Sequence, residues 1–236
     1  VNNILGTKIT ADLSAKFDTE NFILISTDKV VNPTSIMGRT KNIAEKYIQS
    51  LSKEIKGKFI TVRFGNVLGS NGSVVPLFQK QIQQGGPVTI THPEMTRFFM
   101  LIPEAVQLIL QAITIGAKRE VFLLDMGKPV RIVDLADNMI KLAGYIPGKE
   151  IKKEFSGIRP GEKLHEELTH DQEELVETDY KKIRLVKSRI FLQNNFLLKL
   201  DELFSSVKSA DPEKTKLLLM QLVSGPHYPE KTTSPD

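Results

Sequence analysis

The stretch that most constrains this chain runs from residue 22 to residue 47, FILISTDKVVNPTSIMGRTKNIAEKY. It opens on Phe22, Ile23, Leu24 and Ile25, an apolar run rich in β-branched and aromatic side chains. Such a run predicts a strand buried on both faces, as in a parallel sheet. Ser26, Thr27, Asp28 and Lys29 follow where the strand should end. The carboxyl edge of a parallel sheet is where α/β proteins hold their ligands. Pro33 then breaks the chain, having no N–H and a fixed φ. Thr34 or Ser35 can cap the helix expected to begin near Met37. Ile43, Ala44, Tyr47, Ile48 and Leu51 fall on one stripe of that helix. Met37 and Lys41, four residues apart, share a face of its first turn.

The same alternation of strand and helix continues. Strands are predicted at 58–62, 88–91, 97–100 and 121–125, and an edge strand at 149–155. Helices are predicted at 1–17, 74–84, 103–116, 133–143 and 164–169. Gly85, Gly86 and Pro87 form a strong helix stop. Alternation of this kind implies a parallel α/β sheet. Beyond residue 172 the sequence says less. Helices are expected over 190–207 and 212–223, the first with a stripe of Leu197, Leu198, Leu200, Leu203 and Phe204, and a frayed end from Ser224.

Bulk properties narrow the function. The 236 residues suffice for one large domain or two small ones. The net charge of +4 is small and its lysines are interspersed with glutamates, so no nucleic-acid partner is read from it. It suits an anionic small ligand. The chain has no cysteine, which removes disulfides, thiolate metal sites and a cysteine nucleophile, and no metal site is expected. No apolar run approaches the ~18 residues of a membrane span.

Two loops carry further candidates. Residues 63–73 place three glycines, Gly65, Gly69 and Gly72, around Asn66; read alone, they make a strand-to-helix loop. Arg159 sits in a rigid Pro-Gly turn, where an arginine can meet phosphate oxygens bidentately; on composition alone it reads as a solvated turn arginine.

In this order the chain carries STDK, VNPT, MGRTK, RFGNVLGS, HPEMTRFFM and RPGEKLHEEL. Together these resemble the extended short-chain dehydrogenase/reductase family, and within it the CapD-like nucleotide-sugar 4,6-dehydratases of bacterial polysaccharide biosynthesis. Asn3, Gly6 and Thr7 match the family's Asn-x-x-Gly-Thr helix. The tyrosine of the family's Tyr-x-x-x-Lys motif is replaced by Met37, as in the large membrane-anchored members. The resemblance covers roughly residues 1–170.

It implies a partial Rossmann-type sheet, 1–72 and 103–144, interleaved with a small substrate-binding lobe, 73–102 and 145–205, and a helical tail, 206–236. It implies dehydration of a UDP-N-acetylhexosamine, with NAD or NADP taking hydride from C4 and returning it to C6. Asp28 is then the acid for the departing hydroxyl, which asks for a raised pKa. Lys29 is the base at C5, which asks for a depressed one. Thr27 bonds the sugar 4-hydroxyl. Lys41 holds the nicotinamide ribose. Ser26 and Asn66 line the cofactor, and Asn66 also faces the sugar. Arg97 and Arg159 meet the diphosphate, and Glu162 the ribose. Met37 should lie beside sugar and nicotinamide, yet a thioether has no proton to give, so Lys41 is the first choice for deprotonating the 4-hydroxyl.

Two other readings remain: a nucleotide-sugar-binding module without catalysis, and an epimerase, although an Asp-Lys pair exceeds what C4 epimerisation needs. No G-x-G-x-x-G occurs in the chain. The expectation is therefore a carboxyl-terminal portion of a longer, cytoplasmic, homo-oligomeric protein. Membrane contact would come only through the absent amino-terminal half, without which NAD(P) binding should be weak.

Overall fold

The computed structural model describes residues 1–51, 55–70, 72–188 and 195–223. Helix α1, Asn2–Lys16, leads to strand β1, Asn21–Ile25. A 3-10 turn, Asp28–Val30, follows, and then helix α2, Ile36–Ser50. Ser35 starts α2, its hydroxyl accepting from the Gly38 amide at 3.1 Å, so one of the helix's orphan donors is satisfied locally. Strand β2, Lys58–Arg63, lies parallel to β1 with Ile25 opposite Val62.

Strand β3 (Asn66–Val67) lies within the glycine-rich loop, and helix α3 (Val74–Gln83), β4 (Val88–Ile90) and β5 (Thr96–Arg97) follow. Then come β6 (Phe99–Met100), α4 (Ile102–Ile115), β7 (Val121–Leu124), β8 (Val130–Arg131) and α5 (Ile132–Leu142). The chain continues through β9 (Lys153–Phe155), β10 (Glu173–Glu177), β11 (Ile183–Ser188), α6 (Phe196–Lys208) and α7 (Pro212–Val223).

The central sheet has the order β1-β2-β7-β11-β10. Its first three strands are parallel, as the apolar runs predict, and all four residues of β7 are buried. The remaining two strands form an antiparallel hairpin that extends the sheet. That hairpin has no counterpart in the sequence reading. Nor is there a helix over 164–169: those residues run through bends. Their backbone bonds elsewhere, the Leu164 carbonyl accepting from Thr96 N at 3.2 Å and from the Arg97 guanidinium at 3.2 Å. The edge strand expected over 149–155 is only β9, which pairs in parallel with β4.

Four apolar clusters lie among the described residues, the smallest joining Val121 and Leu123 of β7 to Val186 of β11. Tyr47, Ile43 and Ile48 of α2 pack with Phe59 of β2 and with Phe196, Leu200 and Leu203 of α6. On the other face of the sheet, Ala105, Leu108 and Ala112 of α4 cover Ile60, Val62, Phe122 and Leu124. Val106, expected inward on α4, is exposed, as are Leu197 and Leu198 of α6. A separate core joins Phe78 and Ile82 of α3 to Val88, Ile90, Ile132, Ala136, Ile140 and Ile151.

This packing differs from the expected division of the chain. Helix α5 sits with the separate core around α3, although it was grouped with the sheet. The hairpin β10–β11 and helix α6, grouped with the lobe, pack on the sheet or its flanking helix. The predicted helical start at 190 and the frayed end from 224 lie outside the described residues. No described helix is long and apolar enough to cross a membrane.

Candidate active site

The parallel strands deliver their polar residues to one edge. After β1, Asp28 N donates to the Phe64 carbonyl at 3.1 Å, so the polar turn is stitched to the end of β2. Asp28 is wholly buried. Its Oδ1 accepts from Thr27 Oγ1 at 3.0 Å and from Lys29 Nζ at 2.9 Å. Its Oδ2 is buried with no hydrogen-bond partner. Lys29 Nζ also donates to Asn66 Oδ1 at 3.1 Å, and Asn66 is steadied by Nδ2 donating to the Phe98 carbonyl at 3.2 Å. Thr27, Asp28, Lys29 and Asn66 are thus one hydrogen-bonded group, drawn from two strand ends.

Two glycines make room for it. A Cβ on Gly38 would lie 2.3 Å from the Lys29 carbonyl oxygen, so only glycine lets α2 pass this close to the turn. A Cβ on Gly65 would lie 3.0 Å from Phe98 Cβ, 3.1 Å from Asp28 Oδ2 and 3.2 Å from Met126 Cε. The cluster is therefore packed from beneath by backbone.

Lys41 reaches the same edge, donating to the Ile25 carbonyl at 2.9 Å. Burial lowers its pKa, and Glu45 offsets part of that. Ser26 Oγ is buried and has no partner. Met37 is 44% exposed, on the surface of the first turn of α2 rather than in the core. Asn3 of α1 donates to Thr40 Oγ1 at 3.0 Å, which ties the Asn-x-x-Gly-Thr helix to this turn.

Residues 157–170 close over the cluster from the other side. Thr34 Oγ1 donates to the Gly161 carbonyl at 2.8 Å, Lys163 Nζ to the Val31 carbonyl at 2.9 Å, and Asn32 Nδ2 to Glu167 Oε2 at 2.9 Å. Gly161 has φ +79, a backbone state that favours glycine in this turn. Arg159 is exposed and its guanidinium makes no hydrogen bond or ion pair among the described residues, while its amide donates to Glu162 Oε2 at 3.2 Å.

Arg97 is otherwise placed. Its guanidinium donates to the carbonyls of Thr96 at 2.7 Å and Leu164 at 3.2 Å, and pairs with Glu162 Oε1 at 3.3 Å. Most of its donors are committed within the protein, which leaves Arg159 as the freer of the two arginines. One site residue escaped the sequence reading. Glu166, with its side chain 4% exposed, places Oε1 3.5 Å from Lys29 Nζ and 3.7 Å from Arg97 Nε. The expected helix over 164–169 hid it, because a helix would have made it one of a run of surface carboxylates.

Behind the site lies a second charged group. Arg63, at the end of β2, donates to Glu45 of α2 at 2.7–3.0 Å and to Glu173 of β10 at 2.8 and 3.0 Å. All three side chains are at most 4% exposed. Burial alone would lower the Arg63 pKa, but the two carboxylates raise it on balance. His170 N donates to Glu173 Oε2, and its ring contacts Asn32 Oδ1 at 3.0 Å.

Against known proteins, the sequence profile of the family described as "Polysaccharide biosynthesis protein" matches residues 1–188. The chain is 54% identical over 187 residues to the probable polysaccharide biosynthesis protein EpsC of Bacillus subtilis, covering 79% of this chain and 31% of that one. It is 53% identical over 206 residues to the capsular polysaccharide biosynthesis protein CapD of Staphylococcus aureus, covering 87% and 34%. It thus spans about a third of these relatives' length. Among solved structures, Pen from Bacillus thuringiensis superposes with a TM-score of 0.70 at 34% identity, covering 80% of this chain and 59% of that one.

Proposed function

Because the chain belongs to the polysaccharide biosynthesis protein family, we propose that it supplies the acid–base and sugar-binding part of a nucleotide-sugar 4,6-dehydratase. The substrate class is a UDP-N-acetylhexosamine, with UDP-N-acetylglucosamine as its first member. The observation that carries this is the Asp28–Lys29 pair, in contact at 2.9 Å at the carboxyl edge of a parallel sheet, the carboxylate buried and the amine partly exposed, held by Thr27 and Asn66. Eliminating water from a sugar needs a proton removed at C5 and another delivered to the C6 hydroxyl. Lys29 takes the first and Asp28 gives the second, and their direct hydrogen bond lets the proton pass between them. Thr27, beside Asp28, orients the sugar 4-hydroxyl.

The strand-end residues also fit one end of a nicotinamide dinucleotide. Ser26 Oγ is buried without a partner, and Lys41 brings a desolvated ammonium to the same edge. When bound, that group would supply a hydride acceptor and donor. Lys41 would hold its ribose, Asn66 would line both it and the sugar, and Met37 would cover the sugar without exchanging a proton. Arg159, exposed and uncommitted, would meet the diphosphate, with Glu162 beside it for the ribose of the uridine and Arg97 bracing Glu162.

The test is mass spectrometry of UDP-N-acetylglucosamine after incubation with the full-length protein. Loss of one water supports the dehydratase. An unchanged mass with altered stereochemistry supports an epimerase, and no turnover supports a binding module. Lys29→Ala and Asp28→Asn should each remove ~10²–10⁴-fold of the water loss while UDP-sugar binding persists. A variant keeping more than half its turnover would take that residue out of its role.

A further inference from the structure

Lys29 donates hydrogen bonds to Asp28 at 2.9 Å and Asn66 at 3.1 Å, and its amine forms an ion pair with Glu166 at 3.5 Å. The first two come from the strand ends. Glu166 alone comes from the segment 157–170. The same oxygen that faces Lys29 faces Arg97, and the other, Oε2, is buried without a partner. A carboxylate kept out of water with half its lone pairs unused is costly.

Other contacts already anchor the segment. Thr34 to Gly161, Lys163 to Val31, Asn32 to Glu167, and Thr96 and Arg97 to Leu164 already hold it, and none of these contacts touches Lys29. Glu166 instead sits between the lysine of the acid–base pair and the arginine that braces Glu162.

We propose that Glu166 is a positioning residue: its carboxylate, 3.5 Å from the Lys29 amine, holds that amine from the side of the segment while the third direction of the nitrogen stays free for the sugar, coupling the acid–base pair to the segment that carries Arg159. This rests on the dehydratase reading above. Glu166 touches Lys29, not the reacting atoms, and it acts in the elimination of water alone. Hydride removal from the sugar, which precedes elimination, does not use Lys29.

The discriminating variant is Glu166→Gln in the full-length protein, nearly the same shape without the charge. Three quantities are read: water loss by mass spectrometry, hydride removal by the near-ultraviolet absorbance of the reduced nicotinamide, and UDP-N-acetylglucosamine affinity by calorimetry. Water loss should fall ~10²-fold, the size of effect expected from a misplaced catalytic group. Hydride removal should stay within about threefold of wild type, since it does not depend on the aim of Lys29, and affinity should fall far less than water loss, because Glu166 reaches the sugar site only through Arg97. Reduced cofactor should then accumulate in the variant.

Equal slowing of both steps would overturn the proposal, as would weaker binding at unchanged turnover, or no change at all. Should Glu166→Gln fail to fold, Glu166→Asp carries the test: it keeps the charge but cannot span to Lys29, and must show the same split. A wild-type protein that binds the sugar yet loses no water would overturn the dehydratase reading and this role with it. Water loss by the wild type together with an unaffected Glu166→Gln overturns this role only.

Discussion

Replacing Arg63 by methionine should cost more stability than any other single change near the site. Arg63 joins three elements that are distant in sequence: β2, α2 through Glu45, and β10 through Glu173. The guanidinium makes five hydrogen bonds to the two carboxylates, at 2.7–3.0 Å. Methionine fills much of the same volume, so cavity formation contributes little. What remains is electrostatic: two carboxylates, each 2% exposed, lose their shared cation. Stranding the partners of a buried ion pair costs about 3–5 kcal/mol. Against a typical domain stability of about 5–15 kcal/mol, that is a large share. Urea unfolding of Arg63→Met beside wild type measures it. The loss should shrink in mildly acidic buffer, where the stranded carboxylates can take up protons. Neutralising the pair as well, with Glu45→Gln and Glu173→Gln, should recover part of the loss, because no charge is then left buried alone. A loss below about 1 kcal/mol for Arg63→Met, the range of an exposed pair, would refute the reasoning.

Further outcomes follow from the geometry. Gly38→Ala should push α2 away from the Lys29 carbonyl, at a cost of about 1–3 kcal/mol by calorimetric unfolding, and should slow water loss more than it weakens sugar binding. Burial lowers the His170 pKa, as do the Arg63 and Lys163 charges, against Glu173 and Glu45, so the folded state holds the ring neutral below the usual 6.5. The unfolded chain then binds the extra proton first, and stability should fall as pH drops below 6.5 towards the lower folded value. His170→Gln should flatten that slope in urea titrations at several pH values, and an unchanged slope would remove His170 as its source. Arg159→Ala should raise KM for the UDP-sugar far more than it lowers kcat, because a diphosphate is gripped alike in ground and transition states. The reverse split would move Arg159 off the diphosphate.

Much of the site was legible because its signals are local. The run Phe22 to Ile25, the polar cluster after it, and Ser35 before α2 each state their structure within a few residues. Asp28, Lys29 and Asn66 meet because two parallel strands end side by side, and both strands read as buried apolar runs. The hairpin β10–β11 was not legible. Glu174, Glu177, Arg184 and Lys187 dilute its alternation, since β10 is the edge strand and both strands are partly exposed, and Glu173 adds a charge that is buried only because Arg63 pairs with it. The predicted helix over 164–169 failed for a different reason. Leu164 and Leu168 have helical spacing, but the backbone there is claimed by Thr96 and Arg97, which local sequence cannot see. Glu166 was lost with it. Arg97 carries no local mark separating a brace from a ligand contact; only its hydrogen bonds to Thr96 and Leu164 do.

The closeness of Gly65 to Asp28 also binds the two positions in history. With aspartate at 28, an alanine at 65 meets its carboxylate at 3.1 Å as well as Phe98 and Met126. Shortening residue 28 removes one of those three obstacles, so a lineage that has given up the acid can accept alanine at 65 more readily. With alanine at 65, an aspartate at 28 must shift by a few tenths of an ångström to be accommodated. The tolerance of position 65 for a methyl group is thus set in part by the side chain at position 28.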